Sequence, residues 1–487
     1  MARITFLHPD LGIGGAERLV VDAALGLKKK GNLVNIVTTH HDKNRAFEET
    51  INGEISVIVV GDWIPRSFFN RFYALLAYIR MIYAAFYIIF FSNINPDVVF
   101  CDLVSVAVPI LKLKIKKVIF YCHFPDQLLS RPEGLLKALY RVPINWVEEI
   151  STGTANHIFV NSEFTAGVFK KTFKKINIHP DILYPSLNMS FFDSFKDSDL
   201  KLNYPEKKFY FLSINRYERK KNLNLAVRSL SELKNIVDKN LWNEVHLIMA
   251  GGYDSRVIEN VEHYKELTQL TRDLNLSDKV TFLKSFTDIE KISLLKMCTC
   301  LIYTPSNEHF GIVPIEAMYM RKPVIAVNSG GPTETIINDV TGYLCDPLPE
   351  SFAVAMSKFL LNENLSMKLG NAGKERVLST FSFDKFSLKL NNVVNEINKR
   401  IEKANGKVAV LATSQTINKY VGADLLLNLG DRNNLEEVAN SLFDLLRKCD
   451  EEKVDIIFAE GFELRGMGLS IMNRLLKACA GKVVIGL

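Results

Sequence analysis

The chain has 487 residues, 48% hydrophobic and 23% charged, which excludes a disordered or collagen-like protein and gives room for two or three domains, each with its own core. A formal net charge of +6 is too small over this length to suggest nucleic-acid binding without a localised patch. Seven cysteines at irregular spacing form neither a disulfide framework nor a zinc pattern, so a reducing compartment is expected. The opening MARITFLHPDLGIGG lacks the basic start, long apolar run and small-residue cleavage site of a secretory signal, and the bulk of the chain is expected to face the cytosol.

In chain order, short and continuously apolar runs at 4–7, 34–37, 55–60, 98–101, 117–121 and 157–160 have the pattern of parallel strands buried on both faces. A glycine loop at 12–15 and an amphipathic helix at 16–28 follow the first of them. Residues 1–190 therefore read as one doubly wound α/β domain. A polar stretch at 193–208, broken by Pro205, reads as a linker. The pattern then begins again with strands at 209–214, 245–250, 279–283, 300–303 and 323–327 and helices such as 224–237 and 352–361, which makes 205–380 a second such domain. Two domains of this kind facing each other leave a cleft at the carboxyl ends of their strands. A helix at 384–404 follows, within a terminal segment 381–404 expected to reach back to the first domain. Residues 407–487 form a third block with strands at 408–411, 425–429, 454–459 and 482–485 and helices at 435–448 and 469–480. That block holds 10 Lys and Arg against 11 Asp and Glu, which leaves residues 1–406 at +7.

The most informative stretch runs from Glu308 to Glu316, EHFGIVPIE, with two carboxylates eight residues apart. Gly311 precedes a helix expected to start near Val313, with Pro314 in its first turn. The free N–H groups of Gly311, Ile312 and Val313 at such a start suit an anion, and the helix dipole adds to this. Glu308 in the preceding loop and Glu316 in the first turns would then flank a bound diphosphate and accept from its hydroxyl-rich ends. An acidic loop beside a capped helix is the plainer reading. After the strand at 209–214, Arg216 and Lys221 could neutralise a diphosphate leaving group, Arg as a bidentate fork and Lys as a point charge, although Lys220 is an alternative and a solvated basic turn a plainer one. Gly251 and Gly252 end another strand. Gly14 and Gly15 open the first helix without the G-x-G-x-x-G spacing of a dinucleotide site. His123 follows the strand at 117–121 and would point into the cleft, where it could bond a sugar or move a proton.

Taken together these motifs resemble the retaining GT-B glycosyltransferases. EHFGIVPIE matches the family's E-x7-E, SINRYERKKN its Arg and Lys five residues apart, GGYD its G-G-x loop, and GGAE at 14–17 its first-domain glycine loop. The resemblance implies that Glu308 contacts the donor sugar, Glu316 the nucleoside ribose, Arg216 and Lys221 the diphosphate, and that His123 is the functional histidine. With HFPDQ at 123–127 the set is most similar to the eukaryotic α-1,3/1,6-mannosyltransferases of the dolichol-linked oligosaccharide pathway, over about residues 1–404. That resemblance implies GDP-mannose as donor and a lipid-linked oligosaccharide as acceptor. It also implies the cytosolic face of the endoplasmic reticulum membrane, no tightly bound cofactor or metal, no nucleic acid for residues 1–404, and a complex with other enzymes of the pathway. Residues 407–487 resemble part of the C-terminal domain of threonylcarbamoyl-adenylate synthase, without that enzyme's catalytic domain. The expected fold is α/β: the GT-B pair of Rossmann-like domains facing a cleft, plus a small α/β module. Another GT-B glycosyltransferase with a different nucleotide sugar or acceptor, a sugar-nucleotide epimerase of the same architecture, and a non-catalytic scaffold are the competing readings.

One segment points to a membrane. Residues 72–91, FYALLAYIRMIYAAFYIIFF, carry Arg80 as their only charge and are long enough to span a bilayer core. A span would detach the first strands from their sheet, so a helix lying in the interface with Arg80 snorkelling outward is expected. Seven Lys and Arg against two Asp and Glu between Arg66 and Lys117 would favour an anionic surface. A buried core helix is the alternative.

Overall fold

The computed structural model describes residues 2–68, 72–129, 135–195, 205–395, 404–417, 420, 422–462 and 466–478 and, at 135–138, 392, 394 and 395, the backbone only. It divides into two compact units: Arg3–Lys29 with Leu33–Ser387, and a second that holds Lys30–Asn32 and the residues from Leu388 onward.

The larger unit contains two parallel sheets. The first joins β1 (Arg3–His8), β2 (Leu33–Thr38), β3 (Ser56–Val59), β4 (Val98–Asp102), β5 (Lys117–Cys122), β6 (His157–Val160) and β7 (Asp181–Ile182) in the order β3-β2-β1-β4-β5-β6-β7. The second joins β8 (Phe209–Ile214), β9 (Val245–Gly251), β10 (Val280–Lys284), β11 (Cys300–Tyr303), β12 (Val324–Val327) and β13 (Gly342–Cys345) in the order β10-β9-β8-β11-β12-β13. The strand order reverses between β1 and β4 in one sheet and between β8 and β11 in the other, so the crevice of each opens at those carboxyl ends. The sequence pattern missed β7 and β13. The first is two residues long, and the second begins on a glycine without an apolar run before it.

In the first sheet Phe6, Phe100 and Tyr121 stack across β1, β4 and β5, with ring centroids 4.9 and 6.0 Å apart. The opposite face carries Leu7, Val99, Cys101, Val118 and Phe120, buried with Met81, Ala84, Ala85 and Ile88 of the segment that begins with the helix Tyr73–Phe86. Each such side chain contributes roughly 1.5 to 3 kcal/mol of burial for the large aliphatics and aromatics. The helix continues into a wider turn, Tyr87–Phe91, and Tyr73–Phe91 is long and apolar enough to cross a membrane by length and composition. One face lies in the core, while Tyr83, Phe86, Phe90 and Phe91 are exposed. Arg80 corrects the expectation from sequence. It does not snorkel outward but is buried, donating to the Thr39 carbonyl at 2.5 Å and pairing with Asp62 at 3.2 Å. A carbonyl at the end of β2 and a nearby carboxylate replace the water that the guanidinium gives up.

The second sheet is covered on one side by a cluster including Leu225, Ala226, Leu230, Phe352 and Phe359, and on the other by Ile292, Leu295, Ile315, Met318 and Phe381. Leu187 and Phe192 belong to the latter core, so the chain starts to pack on the second sheet a few residues before the boundary expected at 190. The helix Phe383–Asn395 follows, and residues 396–403 of the helix expected at 384–404 lie outside the described residues. Its start meets the first helix, Gly15–Lys29: a Cβ on Gly26 would lie 2.3 Å from Ser387 Oγ, and Lys29 stands 5.0 Å from the Phe383 ring.

The other unit includes a three-stranded parallel sheet in the order β15-β14-β16, with β14 at Val408–Ala412, β15 at Leu425–Asn428 and β16 at Ile456–Ala459. The helices Leu435–Glu451 and Gly466–Ala478 accompany it. Their buried residues Val438, Leu442 and Ile471 share a core with Leu411, Leu427 and Leu429. The strand expected at 482–485 lies outside the described residues.

Candidate active site

The cleft end of the second sheet is organised by two loops. One follows β8 and ends in the short turn Arg219–Lys221; the other follows β11 and leads into the helix Ile312–Tyr319. The Lys221 ammonium bonds the Glu308 carboxylate across them, with both side chains mostly buried. Thr304 Oγ donates to the Lys221 carbonyl at 2.7 Å and holds that loop in place. Burial alone would raise the Glu308 pKa, but Lys221 outweighs it and holds the carboxyl below its ordinary value. Gly311 caps the helix at φ +82°, a left-handed conformation that glycine adopts without strain. The helix starts at Ile312, one residue before the start expected from sequence.

Glu316 lies in this helix and is buried, 8% exposed, with Lys291 donating to its Oε1 at 2.5 Å. Its Oε2 has no hydrogen-bond partner among the described residues, and neither do Ser213 Oγ and Asn215 Nδ2 at the carboxyl end of β8. Arg216 and Lys220 are well exposed and pair with Glu218 at 2.9 and 3.1 Å, although the Lys220 charge still acts on Glu308. Of the two lysines it is Lys221, mostly buried, that bonds Glu308 directly. A Cβ on Gly251 would lie 1.9 Å from the Asn215 carbonyl, so packing alone demands glycine there; Gly252 meets the Arg216 side chain.

On the first sheet His123 follows β5 and Asp102 ends β4. His123 Nε2 lies 2.9 Å from Asp102 Oδ1, while His8 Nδ1, at the end of β1, bonds Asp102 Oδ2 at 2.9 Å. Glu17, in the first turn of the helix Gly15–Lys29, stands 3.8 Å from His8 Nε2. Burial opposes charge on His8, yet its bond to Asp102 and the nearby Glu17 carboxylate carry its pKa up to about 9. Burial would likewise raise Asp102, and the two histidines reverse this to about 2. Gly14 sits against the Glu17 carboxylate, where a Cβ would approach Oε2 to 2.2 Å, whereas Gly15 faces open space.

The two lobes touch at this cleft. The His309 ring stacks on Phe124 with centroids 3.8 Å apart, and Ser162 Oγ donates to the His309 carbonyl at 2.5 Å. Burial drives the His309 pKa down to about 4, so the ring stays neutral. Glu334 accepts from the N–H groups of Glu163 and Phe164, both at 2.7 Å, and so closes the start of the helix Glu163–Thr172 from across the cleft. Gly330 and Gly331 lie against the backbone of residues 307–310, with Gly331 N–H donating to the Glu308 carbonyl at 2.7 Å. Sequence reasoning missed His8, Asp102, Glu17 as a partner of His8, His309, Lys291, Glu334 and the Gly330–Gly331 pair. The glycine doublet after β12 was the one local signal for any of them. Among the described residues no group of three or more His, Cys, Asp or Glu is arranged to hold a metal ion.

Family models match most of the chain. The Glycosyltransferase Family 4 model covers residues 13–182 and the Glycosyl transferases group 1 model 194–376. The model for the C-terminal domain of threonylcarbamoyl-AMP synthase covers 377–480, starting ahead of the boundary expected at 407. Among solved structures, sucrose-phosphate synthase from Thermosynechococcus elongatus superposes with a TM-score of 0.65 at 19% identity, over 82% of this chain and 99% of that one. Anabaena HepE in complex with UDP gives 0.61 at 18%, over 80% and 99%; both share the two-domain fold. Alpha-1,3/1,6-mannosyltransferase ALG2 of Mus musculus is 53% identical over 400 residues, 81% of this chain and 96% of that protein. The Saccharomyces cerevisiae ALG2 is 40% identical over 416 residues, 78% and 82%. With two facing Rossmann-like lobes, the E-x7-E helix at their cleft and relatives this similar over most of their length, the chain belongs to the α-1,3/1,6-mannosyltransferase family of GT-B glycosyltransferases.

Proposed function

We propose that the donor is GDP-mannose and the acceptor a dolichol-diphosphate-linked oligosaccharide, extended by α-1,3 and then α-1,6 mannose on the cytosolic face of the endoplasmic reticulum. The observation that carries this reading is the Lys221–Glu308 pair beside the start of the helix Ile312–Tyr319, in a chain whose curated relatives are named α-1,3/1,6-mannosyltransferases. Lys221 meets the diphosphate as it departs, helped by the N–H groups of Gly311, Ile312 and Val313 and by Arg216 once it swings from Glu218. Glu308 accepts from hydroxyls of the transferred sugar. Glu316 offers its partnerless Oε2 to a ribose hydroxyl, and Gly251 and Gly252 border the nucleotide. His123 contacts the sugar from the opposite lobe, where Gly14 and Gly15 bring backbone to the phosphate or acceptor.

In the reaction the bond from the anomeric carbon to the diphosphate breaks, the acceptor oxygen bonds to that carbon from the same face, and the acceptor proton leaves with the diphosphate. The α configuration of the donor is retained. The exposed side of the segment 72–91, with Tyr83, Phe86 and Phe90, lies on a lipid surface and brings the cleft to a membrane-bound acceptor. Residues 407–487 are an accessory module outside the transfer reaction.

The test is purified protein incubated with a panel of sugar nucleotides and a synthetic lipid-diphosphate acceptor. Transfer from GDP-mannose with an α-linked product by NMR is expected. Preferential transfer from a uridine nucleotide sugar would overturn the donor assignment, and a β-linked product the stereochemistry.

A further inference from the structure

Behind His123 three more titratable groups run into the core of the first lobe. Asp102 and His8 end the two strands, β4 and β1, that flank the reversal of strand order, and their side chains are 1% and 0% exposed. Glu17 stands at the far end. Carboxylate and imidazole therefore alternate along the row, from Glu17 through His8 and Asp102 to His123.

Burying a carboxylate and an imidazole is costly, and two apolar side chains of similar size would fill the space at least as favourably. The sheet retains the polar pair at the point where it meets the cleft. Asp102 divides its two oxygens between two rings: Oδ2 takes the His8 Nδ1–H, while Oδ1 stands 2.9 Å from His123 Nε2, off the line of a hydrogen bond, and neither of these two atoms has another partner among the described residues. At that distance a lone pair on Nε2 would repel the carboxylate oxygen, so Nε2 is the nitrogen of His123 that carries hydrogen, and a small turn of the ring completes the bond and leaves Nδ1 for the substrate. His8 anchors the second oxygen and keeps the carboxylate from rotating away. The rest of His123 is held as well, its ring against Tyr121 with centroids 4.6 Å apart and its carbonyl by Asn161 Nδ2 at 3.1 Å.

We propose that Asp102 and His8 are positioning residues that act through His123, fixing its ring and its Nε2–H tautomer so that Nδ1 meets the transferred sugar. The inference rests on the reading that His123 contacts the donor sugar.

A double-mutant cycle tests it. Asp102→Asn keeps the shape but can turn its NH2 toward the ring and select the other tautomer. It should lower kcat by about 10- to 100-fold while the donor KM stays within about threefold. Combined with His123→Ala it should cost no more than His123→Ala alone, because the route to the substrate is already gone. Multiplicative losses would show that Asp102 serves the fold only and would overturn the proposal. If Asp102→Asn does not fold, His8→Gln enters the same cycle with the same expectation. The tautomer itself is read from 15N shifts of histidine-labelled protein at a pH where the ring is neutral: hydrogen on Nε2 in the parent protein supports the proposal, and hydrogen on Nδ1 overturns it. That measurement needs no turnover, so a protein inactive with GDP-mannose would sink the donor assignment while still deciding this one.

Discussion

Lys221 and Glu308 are 87 residues apart in sequence and meet because β8 and β11 are neighbours in the sheet. Lys221→Ala should lower turnover at least ~100-fold, the scale of one lost transition-state contact. Glu308, mostly buried, would be left without its partner, so a stability loss on the order of 3 kcal/mol should accompany it unless the carboxylate takes up a proton. Steady-state kinetics beside a thermal melt separates the two effects, and full activity in the variant would remove Lys221 from the donor site. His8 makes a different prediction. Its pKa rises from the ordinary 6.5 to about 9 on folding, so its contribution is complete below pH 6.5 and is lost as pH climbs toward 9. That is on the order of 3 kcal/mol for the coupled His8–Asp102 pair. Asp102 acts at the other end: its depressed pKa stabilises the fold above its ordinary 3.8, and this is lost as pH falls toward about 2. Urea unfolding at pH 6.5 and pH 9 should show a steeper decline for the parent protein than for His8→Gln. Equal slopes would mean that His8 is not charged in the folded state. Neither His8 nor Asp102 stood out in the sequence, because a polar residue closing an apolar run looks like an ordinary strand end.

At the scale of elements, the segment 72–91 divides its two faces between the core and solvent. Its apolar composition was legible from the sequence, but its orientation was not, since nearly every position is apolar and periodicity cannot say which side packs. Arg80 looked like the polar face and is instead the buried anchor, satisfied by the Thr39 carbonyl and Asp62. Replacing Tyr83, Phe86 and Phe90 with Ser removes exposed aromatic surface and spares Met81, Ala84 and Ile88 in the core. Flotation with anionic liposomes should then show release of the protein with an unchanged melt. Binding that persists would assign the lipid contact to another surface. The helix Ile312–Tyr319 was more predictable: Gly311 before it and Pro314 in its first turn fix where it starts to within one residue.

At the scale of the whole molecule, every residue assigned to sugar transfer belongs to the unit that ends at Ser387. The tail has its own sheet and core. Truncation after Ala404 should therefore preserve transfer from donor to lipid acceptor, measured per mole of folded protein. A truncated protein that folds yet has lost activity would bring the tail into the reaction.

The sequence by itself determined the fold class and most strands, because parallel strands buried on both faces leave continuous apolar runs. It also marked Glu308, Glu316, Lys221 and His123, whose motifs are local and contiguous with glycines that a helix start or tight loop requires. Only the tertiary structure decided which lysine turns inward, which face of the segment 72–91 is buried, and what stands behind His123. Those outcomes depend on strands brought side by side from distant parts of the chain: β1 lies against β4, and β8 against β11. A partner across a sheet leaves no periodic trace in either strand, so the Glu17–His8–Asp102–His123 row became visible only once the strands were paired.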